Sequence, residues 1–167
     1  MCATCKLYAI IQVAPFVLNL KEPMTRINLV DPAELADQHL FAEFREIKMV
    51  PKALSRSLKA HGVHGVVQRV PAEFTLNTGH VMFFYNKGRY LRKRYNQLRI
   101  ELVNRSINFN LESPLDPDQV YSTSPALNYD YVPTPEALAI IRKRIAEKIA
   151  MKPAWYRWSN SYHACGK

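Results

Sequence analysis

Three features of this sequence predict an all-α fold, a single compact domain of three main helices joined by irregular loops. Apolar residues recur at helical rather than alternating spacing in three separated stretches. Helix start and stop signals accompany those stretches. Nothing resembles two alternating runs joined by a tight turn, the usual mark of paired strands. With 167 residues, 48% of them apolar, the chain suits one domain with a sizeable core and is too apolar for a disordered chain.

The first helix is expected to open at Asp31-Pro32-Ala33-Glu34, with Asp31 as N-cap, Pro32 at the first helical position and Glu34 closing a capping-box-like pattern. Leu40, Phe44, Ile47, Leu54 and Leu58 then share one narrow stripe, the face for the core. His39 and Glu46 share a second stripe, and Gln38 and Arg45 the one beside it. Spacing alone favours a solvated face for His39, Arg45 and Glu46, because charged side chains are mostly exposed. Pro51 is expected to kink or end the helix.

Residues 61–70 read as a glycine-containing turn and loop, with Arg69 its one permanent cation. Residues 74–85 are apolar and aromatic. Val81, Phe83, Phe84 and Tyr85 are expected to fill the core, and His80 reads as a hydrogen-bonded internal histidine rather than a catalyst. The second helix spans about residues 87–105, with Leu91, Tyr95, Leu98 and Leu102 on its core stripe. Arg89, Arg92, Lys93, Arg94 and Arg99 on its other faces are candidate phosphate contacts, set against the commoner reading of a solvated basic face.

Residues 106–133, with Pro114, Pro117, Pro125 and Pro133, read as a long connection without a helix of its own. Thr134-Pro135-Glu136 opens the third helix with an N-cap, a proline at the first position and an acid in the first turn. Leu138, Ile141, Ile145 and Ile149 form its core stripe, and Pro153 marks its end. The tail Ala154-Trp155-Tyr156-Arg157-Trp158 interleaves aromatics with a cation. It suits either stacking on bases or packing against the helices.

The net charge is +9, and residues 1–24, with Lys6, Lys21 and Glu22, contribute only one of those charges. The domain itself is therefore basic, and a polyanion is the expected partner class. Cys2, Cys5 and Cys165 cannot form a full disulfide framework, so a reducing, cytoplasmic compartment is expected. Cys2-x-x-Cys5 has no second cysteine pair to complete a metal site, and no metal is expected. Residues 1–23 carry an apolar run over 7–20 that is too short to span a bilayer and lacks a small-x-small cleavage site. They are expected to be an extension, either a misassigned start or a trimmed segment, preceding a domain over residues 24–167.

The chemistry is concentrated in residues 24–46. A small residue after Met24 is what initiator-Met removal requires, so a chain begun there exposes the α-amino group of Thr25. Such amines have a pKa of about 7.7 to 8, against about 10.4 for lysine, so roughly a tenth is neutral and nucleophilic at pH 7.

The strings M-T-R-I-N-L, E-L-A-D-Q-H-L and A-E-F-R-E closely resemble the start of the phage-type endonuclease V family, the pyrimidine dimer DNA glycosylases, distinct from the deoxyinosine endonuclease that shares the name. Gly79-His80-Val81, Phe83-Phe84-Tyr85, Leu91-Arg92-Lys93-Arg94, Glu147-Lys148-Ile149-Ala150 and Trp155-Tyr156 continue the resemblance in order, over about residues 24–158. The resemblance implies an enzyme that cuts the N-glycosyl bond of the 5′ pyrimidine of a cyclobutane dimer through a Schiff base on the Thr25 amine. It then nicks the strand by β-elimination, an AP lyase step. Glu46 matches the catalytic acid, and Arg26 and Arg45 match positions that hold the DNA backbone near the lesion. Gln38 and His39 match residues lining the site. Arg144 and Lys148 match basic positions used for DNA or the substrate cleft, and Trp155 and Tyr156 match the tail tied to dimer recognition.

The implied partner is UV-damaged double-stranded DNA, kinked and with an extrahelical base, bound by a monomer at the nucleoid without a membrane or cofactor. Two alternatives stay open. If residues 1–24 are retained, the Thr25 nitrogen is an amide and the chain is a non-catalytic damaged-DNA-binding protein. A lysine such as Lys48 or Lys152 is the other candidate for the Schiff base.

Overall fold

The computed structural model describes residues 27–76 and 79–159, and the expected extension, Thr25, Arg26 and all three cysteines lie outside them. Among the described residues the secondary structure is helical. It comprises α1 (Asp37–Glu46), α2 (Met49–Val67), the single-turn α3 (His80–Phe83), α4 (Gly88–Asn104) and α5 (Pro135–Met151), with 3-10 turns at Pro32–Glu34, Val120–Ser122 and Pro125–Leu127.

The first predicted helix is present but broken. Asp31 caps a 3-10 turn, accepting the Ala33 N–H at 2.9 Å, and Leu35 and Ala36 then adopt extended backbone before α1 begins at Asp37. The reason lies seventy or more residues away in the sequence. Arg105, almost wholly buried, donates to the carbonyls of Pro32, Ala33 and Leu35 at 3.2, 3.0 and 2.6 Å. Those oxygens would otherwise accept helical N–H groups, so a side chain supplies what helix continuity would have supplied. Leu40, Phe44, Ile47 and Leu54 are buried as the stripe predicts, and Leu58 packs beside them.

The chain turns at Ile47 and Lys48, and Pro51 falls in the first turn of α2, where a helix needs no N–H. The loop expected at 61–70 is mostly helix, since α2 continues to Val67. It bends at Gly62, whose φ of 64° and ψ of 175° suit glycine and interrupt the helix. Val66 is buried in the core, with Val63 and Val67 packed against it, which holds the last turn in place.

α4 carries Leu91, Tyr95, Leu98 and Leu102 into the core and packs against α1. The long connection after it is anchored rather than loose. Asp116 accepts the N–H groups of Val120 and Tyr121, each at 3.0 Å, and buried Tyr121 lies where a Cβ on Gly88 would come within 2.6 Å of its ring. α5 opens as predicted, with the Ala137 N–H donating to Thr134 Oγ1 at 3.2 Å, and seals the core with Ala137 and Ile141. No described helix is long and apolar enough to cross a membrane.

Candidate active site

Thr25 and Arg26 fall outside the described residues, but the chain that leads to them is fixed from Ile27 onward. The Ile27 N–H donates to Nε2 of His80 at 3.3 Å, the Asn28 amide donates to Glu43 at 2.9 Å, and the Val30 carbonyl accepts Arg94 at 2.6 Å. Ile27, Leu29 and Val30 are buried in the core between these ties. Three side chains from three different helices thus grip the first four described residues.

His80 serves as expected, as an internal hydrogen-bonded histidine. Accepting from Ile27 requires a bare Nε2, and the contact of Nδ1 with the Thr75 carbonyl at 2.9 Å requires a proton there. The neutral ring fits both. Burial pushes its pKa below the ordinary value and the bond to Thr75 opposes this. The positive charge of Arg144 on α5 lowers it further. Arg144 is therefore within electrostatic reach of the same point on the N-terminal segment, and half-buried Lys148 follows one helical turn later.

Glu43 was not singled out in the sequence. It is fully buried on α1 and forms a bidentate pair with Arg94, at 2.7 and 2.9 Å, besides holding Asn28. This corrects the reading of Arg94 as a phosphate contact, because its guanidinium faces inward and is spent on Glu43 and Val30. A signal existed. Glu43 stands beside Phe44 on the core stripe of α1, and Arg94 stands between Leu91 and Leu98 on that of α4, so opposite charges occupy two facing apolar stripes. Others of the basic group are also engaged within the fold, Arg92 with Asn128, Lys93 with Asp130 and Arg99 with the Leu111 carbonyl.

α1 carries Gln38 and His39 at its start and Arg45 and Glu46 at its end, with Arg45 exposed and Glu46 half-buried. Seven residues of helix separate each pair by about 10.5 Å. The C-terminal tail lies on the first of these positions. Gln38 donates to the Trp155 carbonyl at 2.6 Å and accepts the Arg157 N–H at 3.0 Å, and the Tyr156 and His39 rings stack at 4.5 Å. The structure thus brings Gln38, His39, Trp155 and Tyr156 together. Of the two readings of the tail, packing against a helix describes its position, yet Trp155 and Trp158 stay largely exposed.

Beside the end of α1, Lys48 lies 4.4 Å from the Phe44 ring centre and donates to Ser113 at 2.8 Å. Its pKa is pushed down by burial, then by Lys52 and Arg45. Among the described residues no cluster of three His, Cys, Asp or Glu side chains can hold a metal ion.

A buried scaffold fixes residues Ile27 to Val30 beside a helix whose far end carries Arg45 and Glu46, with Lys48 just beyond. Such an arrangement suits a carboxylate acting on a polyanion. Residues 24–114, more than half of the chain, match the family described as pyrimidine dimer DNA glycosylase. The match takes in the Thr25 segment and α1 through α4, and α5 with the tail follows it. The chain belongs to the pyrimidine dimer DNA glycosylase family.

Proposed function

We propose that this DNA repair glycosylase acts through the α-amino group of Thr25 and completes strand cleavage itself. The Thr25 nitrogen attacks C1′ of the 5′ nucleotide of a cyclobutane dimer. The C1′–N bond breaks, and its electron pair leaves on the base, which takes up a proton. Opening of the C1′–O4′ bond gives a protonated imine on Thr25 and a hydroxyl at C4′. The imine acidifies C2′–H, and loss of that proton expels the 3′ phosphate by β-elimination. Water then hydrolyses the imine and frees the amine. Glu46 stabilises the cationic intermediate and carries protons between these steps. Arg26, Arg45, Arg144 and Lys148 hold the backbone, Gln38 and His39 line the site, and Trp155 and Tyr156 meet the distorted duplex.

The observation that carries this reading is the bond from Asn28 to Glu43. Three residues of chain reach at most about 11 Å, and the proposal needs the Thr25 amine to act within that reach of Asn28. Glu46 lies one helical turn beyond Glu43, about 4.5 Å along the axis. A Thr25 amine within that reach and a Glu46 carboxylate on the adjoining turn are what the proposal requires.

Borohydride trapping on duplex DNA with one thymine dimer tests the proposal, comparing the chain that begins at Thr25 with the chain that keeps residues 1–24. The expected result is a covalent adduct from the Thr25 form alone, because an amide nitrogen cannot form an imine. Glu46→Gln in that form should still bind the lesion and lose most strand scission. Neither form trapping nor cutting would leave damage binding without catalysis as the better reading, and trapping by both would move the imine to a lysine such as Lys48 or Lys152.

A further inference from the structure

α1 has no side-chain cap of its own, since Ala36 stands at its N-cap. The first N–H of the helix, that of Asp37, donates instead to the carbonyl of Arg157 at 2.7 Å. The Asp37 carboxylate accepts the Ser159 N–H on its two oxygens at 3.1 and 3.0 Å and the Ser159 hydroxyl at 2.7 Å. It also accepts Arg105 at 3.0 Å. Gln38 brackets Trp155 and Arg157, and the Trp158 indole N–H points at the Glu34 carbonyl at 3.4 Å. Burial acts against the Asp37 charge, but the Ser159 and Arg105 bonds outweigh it and hold the carboxyl below its ordinary value. An otherwise exposed tail is thus tied at four residues, Trp155, Arg157, Trp158 and Ser159, and buried Arg105 fixes the tie to the core.

We infer that Asp37 is a positioning residue for lesion recognition, holding residues 155–159 on the first turn of α1 so that Trp155 and Tyr156 meet the dimer at a set distance from Glu46. The inference rests on the glycosylase reading above. Nine residues of helix separate Asp37 from Glu46, about 13.5 Å, so α1 acts as a rigid spacer between the tail and the acid. An abasic site offers no dimer for the tail to meet. Releasing the tail therefore weakens action on dimers and spares cleavage at abasic sites.

Two variants test this from opposite sides. Asp37→Asn removes the charge, and Ser159→Pro removes both donors from the tail while leaving Arg105 with Asp37 intact. Tail release is read in the 167-residue chain and in the Thr25 form, and cleavage of dimer and abasic duplexes in the Thr25 form. Both of the chain's tryptophans lie in the tail, so acrylamide quenching reports its release without DNA. The expected result is stronger quenching, with kcat/KM on dimer DNA reduced roughly tenfold, the size of a lost charge-assisted hydrogen bond, and abasic cleavage unchanged. An equal loss on both substrates, or no change on either, would overturn the positioning role. Unaltered chains that cut abasic but not dimer DNA would instead overturn the glycosylase reading.

Discussion

His80 ties the start of the described chain to the core through a single ring, and its protonation state decides whether the tie holds. Phe74 and Phe84 pack edge-on against it at 5.2 and 5.5 Å, and both ring nitrogens are engaged, one donating and one accepting. Burial first, and the Arg144 charge after it, keep its pKa below the ordinary value, with the Thr75 bond opposing. The unfolded chain therefore takes up this proton near pH 6.5 while the folded chain still resists it. Its contribution to stability is fully present above about pH 6.5 and is lost as pH falls through the lower folded value. Urea unfolding of the protein should thus weaken between pH 7 and pH 5, and His80→Gln should flatten that slope. Parallel profiles for the two proteins would show that His80 is not the group responsible. A lone histidine in an aromatic run could be read from the sequence as internal. Its partner Ile27, 53 residues away, could not, because spacing along a chain says nothing about which backbone N–H a buried ring will meet.

Elements were legible where one face meets one core and illegible where a distant side chain intervenes. Ile149, at the end of the predicted α5 stripe, stays outside the core, whereas the core stripes of α1 and α4, the positions Leu138, Ile141 and Ile145 on α5 and the Thr134 cap follow from local pattern. The break at Leu35 and Ala36 does not, since Arg105 causes it, and neither does the helical turn past Gly62, which packing of Val63, Val66 and Val67 sustains. For the site, the stripes bearing Gln38 with Arg45 and His39 with Glu46 were visible as helical spacing. The buried Glu43 that holds Asn28 was overlooked among its charged neighbours. The Glu43 and Arg94 pair couples α1 to α4 with both charges removed from water. Removing one partner leaves the other buried and unpaired, so Arg94→Leu should cost about 3 to 5 kcal/mol in urea unfolding. The double variant Glu43→Leu with Arg94→Leu should recover much of that loss, as well-packed apolar pairs often do. A cost below about 1 kcal/mol for the single variant would mean that the pair is hydrated in solution and does not couple the helices.

At the scale of the whole molecule, the net charge of +9 is distributed by the fold rather than spread evenly. Among the described residues, the acids Glu34, Asp37, Glu43, Glu101 and Asp130 lie in ion pairs with Arg142, Arg105, Arg94 and Lys93. Pairing on this pattern leaves a surplus of cations, and some of it is ordered along α2. Lys52, Arg56 and Lys59 are exposed at helical spacing on that helix, and Lys52 and Arg45 both act on the charge of Lys48 beside the end of α1. A basic stripe therefore runs from the neighbourhood of Glu46 along α2, where the sequence had drawn attention to α4 and α5 instead. DNA binding through such a stripe releases counterions, so affinity for undamaged duplex should fall with salt, by about 0.9 in log–log slope for each phosphate neutralised. Replacing Lys52, Arg56 and Lys59 together with alanine should lower the magnitude of that slope by about 2 to 3 and weaken damaged and undamaged duplexes alike. All three side chains are exposed, so thermal unfolding should scarcely change. A salt slope equal to that of the unaltered protein would mean that DNA passes over another face and that the charge along α2 serves only solvation.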